Sequence, residues 1–417
     1  MSRSVLGGAM LVAGTAIGAG MLALPLDVGL NGFGLSTLIM IGVFVFMLAT
    51  LFLLLEASLR YPNEESHIIS LSHHYLGPMA KAASWLCFMV VLYAACTAYL
   101  TASGDIINHF ASLSGANQWL ESIIGFMTPS DVYIIFFFIA FSSIIYFKPE
   151  WLDQFNLILM ICLIYSFILM SISALSQAKM SHLMQMPEDG HYVMKSIPIV
   201  LLAFTSHIIL PTMRQYIRND IKALIRILFI GSLIPLICYL VWNGIILSVV
   251  PLDQMRDIVI NPNIDGSAFK SFIHLLTQKT NDVLDIVIQF FMFMALATSF
   301  LGASLSLTDF LKDGLHRYIP KENHRTYLAL TYLPPLVIAL VYSQFTAILK
   351  LGGVMLTLLY GVFPIFMVWQ ARYRQQTTSP YVFPGGKPVL VLMMILALGL
   401  LIIPTYQLLA PMIGITL

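Results

Sequence analysis

The chain has little charge. Only 10% of its 417 residues are Asp, Glu, Lys or Arg, and the formal net charge is +1. A soluble domain carries about a quarter charged residues, so a water-soluble fold is excluded, and a near-neutral chain offers no basic surface for nucleic acid. Long polar tails and low-complexity tracts are absent. Cysteine is scarce. Cys87, Cys96, Cys162 and Cys238 lie in apolar runs without metal-ligand spacing, the pattern of core thiols rather than disulfides or zinc ligands. There is no G-x-x-x-x-G-K-[ST] phosphate loop, which excludes an ATP-driven engine. His-Glu-x-x-His and Gly-x-Ser-x-Gly are missing, which excludes the common membrane hydrolases. No Arg-rich span suggests a voltage sensor. His67, His73 and His74 share a loop but lack acidic or cysteine partners for a metal. No cofactor is expected.

What is abundant is apolar: 59% of residues are hydrophobic. A membrane helix needs about 20 mostly apolar residues. Eleven such runs are expected, near 4–28, 34–58, 80–105, 131–147, 152–176, 194–213, 223–250, 282–309, 326–342, 346–370 and 388–410. Together they form one all-α integral membrane domain over 1–417. No loop is long enough for a soluble domain. The longest, 251–281, is punctuated by Pro251 and Asn261-Pro262. Arg3 before an apolar run mimics a signal peptide, but the run is long, glycine-interrupted and followed at once by another, so it reads as mature structure. A cytoplasmic N-terminus places Arg3, Arg60, Lys148, Arg218, Arg317, Lys321, Arg372 and most other basic residues inside. It leaves Lys179, Lys195, Arg256, Lys270, Lys279 and Lys350 outside. An odd span count then puts the C-terminus outside.

The first span contains an oddity, Val12-Ala-Gly-Thr-Ala-Ile-Gly-Ala-Gly-Met-Leu-Ala-Leu-Pro-Leu26. Gly14, Gly18 and Gly20 crowd the middle of a helix that must satisfy its own backbone in lipid. One reading is packing, since Gly14-x-x-x-Gly18 lets neighbouring helices approach closely. The other is an unwound segment at Gly14, Thr15, Ala16, Ile17, Gly18, Ala19 and Gly20, tolerated only where backbone faces protein or a water-filled cavity. The freed N–H and C=O groups of such a segment can hold an amino acid's carboxylate and ammonium. Span six carries a similar pattern: Phe204, Thr205, Ser206 and His207 precede Leu210-Pro211 as Gly18-Ala-Gly precedes Leu24-Pro25. If the repeat is five helices, spans one and six are equivalent and the halves are inverted, and paired interruptions then point to a transporter binding site. His207 is the only histidine deep in an apolar run: one reading is a neutral core histidine bonded to a carbonyl, and the favoured one is a functional group that hydrogen-bonds substrate or carries a proton. Tyr93 and Thr97 share a helix face in span three. Thr298 and Ser299 in span eight offer neutral oxygens suited to a hard cation, or simply bond their own backbone. Glu56, four residues before Arg60, and Asp27, Asp105 and Asp309 read as paired or solvated groups.

The stretch from Val12 to Leu26 resembles the first span of the bacterial hydroxy/aromatic amino acid permeases, V-A-G-T-x-I-G-A-G-M-L-A-x-P-L. Ala295-Leu-Ala-Thr-Ser-Phe-Leu-Gly302, Ser232-Leu-Ile-Pro-Leu and Leu333-Pro-Pro extend the similarity along the chain. The resemblance implies a LeuT-type fold, two inverted five-helix repeats (about 4–176 and 194–370) plus an extra helix at about 388–410. It implies ion-coupled uptake of an aromatic amino acid, tyrosine first, across a bacterial inner membrane. The substrate backbone would meet Gly14–Gly20 and Phe204–His207, with its ring towards Tyr93 and Thr97. Protons are the expected coupling ion, with His207 as carrier; sodium at Thr298 and Ser299 is the alternative. Relatives often read Phe-Gly-Phe-His where this chain reads Phe204-Thr-Ser-His207, which leaves tryptophan, serine or another amino acid open as substrate. A channel-like conduit is the alternative of a different class.

Overall fold

The computed structural model describes residues 5–409 except 63–66, 114, 116, 118–119, 121–126, 148–151, 188–189, 218–219, 263–266, 317, 321–322 and 343. Arg3, Lys148, Arg218, Arg317 and Lys321, which enter the orientation argument, lie outside the described residues.

The described chain is helical. In order, α1 is Val5–Ala16, α2 Ala19–Asp27, α3 Gly32–Arg60, α4 Ile68–Leu76, α5 Pro78–Leu113, α6 Pro129–Phe147 and α7 Leu152–Ala174. Then follow α8 His191–Ala203, α9 Leu210–Ile217, α10 Ile221–Val249, α11 Leu252–Ile260, α12 Ala268–Lys279 and α13 Asp282–Leu315. The last are α14 His324–Val341, α15 Phe345–Leu356, α16 Phe363–Tyr373 and α17 Gly386–Leu409. Helices occupy every apolar run read from the sequence. Eight stretches among the described residues are long and apolar enough to cross a membrane, and Val5–Ala16, Pro129–Ile144 and Arg325–Val341 are shorter apolar helices. In a helix every backbone bond is made within the segment, so apolar runs in lipid have no cheaper conformation.

The chain divides into two compact units, each assembled from separate stretches: 1–91, 188–240 and 350–417 in one, 92–187 and 241–349 in the other. This division does not follow the bounds expected for two five-helix repeats, about 4–176 and 194–370.

In the first unit, α2 packs on α8 and α3 packs on α16. Small residues set two further approaches in this unit. A Cβ on Gly231 of α10 would lie 2.5 Å from Val12 Cβ and 2.8 Å from the Ala9 carbonyl, so α1 and α10 touch backbone to side chain. Gly353 of α15 sits directly against the Pro198 carbonyl of α8. In the second unit, α13 packs along α7 and against α14, and α14 packs on α6. Its interior is aromatic. Phe137 is stacked on Phe141 at 4.3 Å and meets Phe300 edge-on at 5.4 Å, while Phe291 lies against both Phe167 and Trp242.

Two apolar runs are interrupted within the stretches read as unwound, but the first break is shorter than Gly14–Gly20: Gly14, Thr15 and Ala16 end α1, Ala19 and Gly20 open α2, and only Ile17 and Gly18 are non-helical. The first separates α1 from α2 at Ile17 and Gly18, and the second separates α8 from α9 at 204–209. A third interruption was not anticipated: Thr357–Val362 forms a π-helical turn between α15 and α16. Such bulges concentrate at functional sites.

Candidate functional site

The breaks in the first unit face each other. Gly18 has extended backbone and precedes the first turn of α2, closed by Met21 N–H on the Gly18 carbonyl at 3.0 Å. Beyond Ala203, the chain makes short-range turns, with Thr205 N–H on Leu202 O and Ser206 N–H on Phe204 O. Gly20 then meets Ala203. A Cβ on Gly20 would stand 2.9 Å from Ala203 Cα and 3.2 Å from its Cβ, so the start of α2 and the end of α8 are in backbone contact. The packing and unwinding readings of the glycines are therefore compatible. Gly20 packs, and what it packs against is the other break.

One side chain spans both. The Tyr239 hydroxyl of α10 lies 2.7 Å from the Ala16 carbonyl and 2.9 Å from the Ala203 carbonyl. Each carbonyl is at a helix C-terminus, where backbone acceptors are left unpaired and partial negative charge collects. Tyr239 is fully buried, and its ring lies 5.2 Å from that of Phe204, which also meets Phe44 at 5.6 Å.

His207 is buried beside Thr50 of α3, with its Nε2 3.0 Å from the Thr50 hydroxyl. That hydroxyl also donates to the Met47 carbonyl at 3.0 Å. With the hydroxyl proton so used, the ring proton belongs on Nε2, and Nδ1 keeps a bare lone pair. Nδ1 has no hydrogen-bond partner among the described residues. The imidazole stacks on Tyr360 of the π-helical turn, with centroids 4.9 Å apart at 23°. Ser206 reaches Ser232 of α10 at 3.1 Å, and Thr205 bonds back to the Leu201 carbonyl at 2.9 Å. A small pocket lined by Ala16, Phe44, Phe204, Ser206, Ser232 and their neighbours has room for about one water molecule.

The remaining predicted residues have other surroundings. Thr15 is exposed and bonds its own helix at Val12 O, 2.7 Å, while Gly14, Ala16 and Ile17 are half-buried. Tyr93, Thr97, Thr298 and Ser299 belong to the second unit. The Tyr93 hydroxyl donates to the Leu330 carbonyl at 2.8 Å, and Thr97 bonds back to Tyr93 O at 2.8 Å. Thr298 bonds back to Met294 and Ala295, and Ser299 pairs with the Tyr99 hydroxyl. Among the described residues no group of three or more His, Cys, Asp or Glu side chains is placed to hold a metal.

Sequence reasoning missed Tyr239, Thr50 and Tyr360. Each is an ordinary residue of an apolar run, and nothing in its local pattern separates it from core.

Comparison with known proteins bears on what such an arrangement serves. The family model described as "Tryptophan/tyrosine permease family" matches residues 1–404. Tyrosine-specific transport system 2 of Haemophilus influenzae is 28% identical, over 97% of each chain. The tryptophan-specific transport protein of the same organism is 28% identical over 92% of each chain. Glutamine transporter 2 of Aliivibrio fischeri is 27% identical, over 96% of this chain and 99% of its own.

Proposed function

The chain belongs to the tryptophan/tyrosine permease family, and on that premise we propose that it is a secondary transporter importing an aromatic amino acid, tyrosine first, by alternating access. The observation that carries this is the meeting of the two breaks at Gly20 and Ala203. Interrupted helices at matching places in two repeats hold a zwitterion with backbone groups, the half-helix N-terminus favouring the carboxylate and the C-terminal carbonyls the ammonium. Gly14–Gly20 and Phe204–His207 are the segments assigned to that role. The pocket beside them is lined mainly by apolar and aromatic side chains, which suits an aromatic substrate, but an amino acid enters only if those side chains move.

Eleven spans in two inverted repeats, with the N-terminus in the cytoplasm and the C-terminus outside, in a bacterial inner membrane, complete the reading. Proton coupling is favoured over sodium. His207 is a buried base with one unpaired nitrogen, whereas the Thr298 hydroxyl already bonds its own helix. A polar amide is the second substrate reading, because Thr205 and Ser206 bring hydroxyls to the second break and a relative is named for glutamine.

The test is uptake of a panel of amino acids into proteoliposomes under imposed proton or sodium gradients. Tyrosine should accumulate under the proton gradient, and preloaded unlabelled tyrosine should accelerate labelled uptake, as a carrier does and a channel does not. Absence of tyrosine, tryptophan and phenylalanine uptake under both gradients overturns the reading. Glutamine uptake alone selects the second one.

A further inference from the structure

We propose that Tyr239 is a positioning residue of the transport site, its single hydroxyl holding the two helix breaks in register by bridging the carbonyls of Ala16 and Ala203. This rests on the reading of the breaks as the substrate site. The distances of 2.7 and 2.9 Å put both acceptors within reach of one oxygen. Both acceptors are C-terminal carbonyls of half-helices, left without a backbone donor, which repel one another when brought together. A buried carbonyl without a donor is costly, so each end gains by staying on the hydroxyl. One O–H proton serves two acceptors, so neither end can leave without changing the bond to the other. The α1 and α8 ends are thereby coupled through α10, although they are almost 190 positions apart in the chain.

The Tyr239 ring packs on Phe204, at the second break itself. Phenylalanine at 239 keeps that ring packing and removes the bridge. If Tyr239 positions the breaks, then Tyr239→Phe loosens both of them and weakens binding of the amino acid they hold. On this proposal the hydroxyl acts on binding and not on turnover, so the maximal rate is retained.

The experiment uses the full-length protein. Hydrogen–deuterium exchange is measured in detergent for Tyr239→Phe, and tyrosine uptake kinetics in proteoliposomes. Exchange should rise in the segments 13–21 and 200–207 together, with KM raised about tenfold, as expected for loss of about one buried hydrogen bond, and the maximal rate retained. A rise at one segment only, or at neither, overturns the proposal. So does an unchanged KM with a lower yield of folded protein, which is what a purely structural hydroxyl gives. Tyr239→Met also lacks the hydroxyl while filling the site with a flexible apolar side chain, and it provides the same exchange comparison if the Phe variant does not fold. If the wild-type protein takes up no aromatic amino acid, the transport reading fails, and the exchange result alone decides the role of Tyr239.

Discussion

Glu56 and Arg372, 316 positions apart, share a buried two-pronged ion pair: Arg372 Nε donates to Oε1 at 2.7 Å and Nη2 donates to Oε2. Arg60, one turn beyond Glu56 on α3, adds Nε at 3.0 Å and Nη2 at 2.7 Å, and the Phe383 backbone N–H closes the set at 2.9 Å. One fully buried carboxylate thus joins α3, α16 and the connection to α17. Glu56→Gln leaves two guanidinium groups around a neutral amide. Breaking a buried pair from one side costs about 3–5 kcal/mol, so thermal unfolding in detergent should shift well below wild type. Arg372→Lys should fall between the two, since an ammonium cannot make the two-pronged contact. A Gln variant that melts with wild type removes Glu56 as the clasp.

Gly20→Ala tests the contact between the breaks. The added Cβ meets the Ala203 backbone at 2.9 Å, which cannot swing aside as a side chain would. Overpacking costs about 1–3 kcal/mol, and here it separates the start of α2 from the end of α8. Tyrosine uptake should drop about tenfold or more. Gly42→Ala in α3 is the control, since a Cβ there meets nothing within 4 Å. Equal uptake by the two variants would show that the close approach has no functional weight.

The helices were legible because an apolar run in lipid has one way to satisfy its backbone. The two breaks were legible because glycine clusters and a polar triplet are costly inside such runs. Pairings across the chain were not. Asp27 and Asp105 announced themselves as acids near span ends, but nothing local named Lys350 or Lys270 as their partners. Glu56 with Arg60 followed from a spacing of four, whereas Arg372 followed from no spacing at all. Tyr239 is the sharpest case. In sequence it is one aromatic among many in an apolar run, and only the converging ends of α1 and α8 give its hydroxyl a role. The π-helical turn carrying Tyr360 was equally silent, since Thr357–Val362 reads as continuous helix.

His207→Gln separates proton coupling from substrate contact. Glutamine retains an N–H group to face Thr50 and removes the basic nitrogen left at Nδ1. Uptake driven by a proton gradient should be lost, while exchange of tyrosine across the membrane without a gradient persists. Both are measured in the same proteoliposomes. Gradient-driven accumulation at the wild-type level in His207→Gln would assign the proton to another group.

Asp27 and Lys350 predict an asymmetry. Lys350 Nζ lies 2.7 Å from Asp27 Oδ1, tying the end of α2 to α15, and Asp27 Oδ2 has no hydrogen-bond partner among the described residues. The Asp27 side chain is 6% exposed and that of Lys350 is 26% exposed. Lys350→Met therefore strands a buried carboxylate, at a cost of about 3–5 kcal/mol. Asp27→Asn leaves an ammonium on a long stem that can turn towards water, so its cost is much smaller. Thermal unfolding of both single variants and the double variant measures this. Lys350→Met should be the least stable, and adding Asp27→Asn should recover most of the loss, because the charge that had been stranded is gone. Equal destabilisation by the two single substitutions, with additive loss in the double, would mean that the pair is not the source of the effect and that each side chain acts through its own packing.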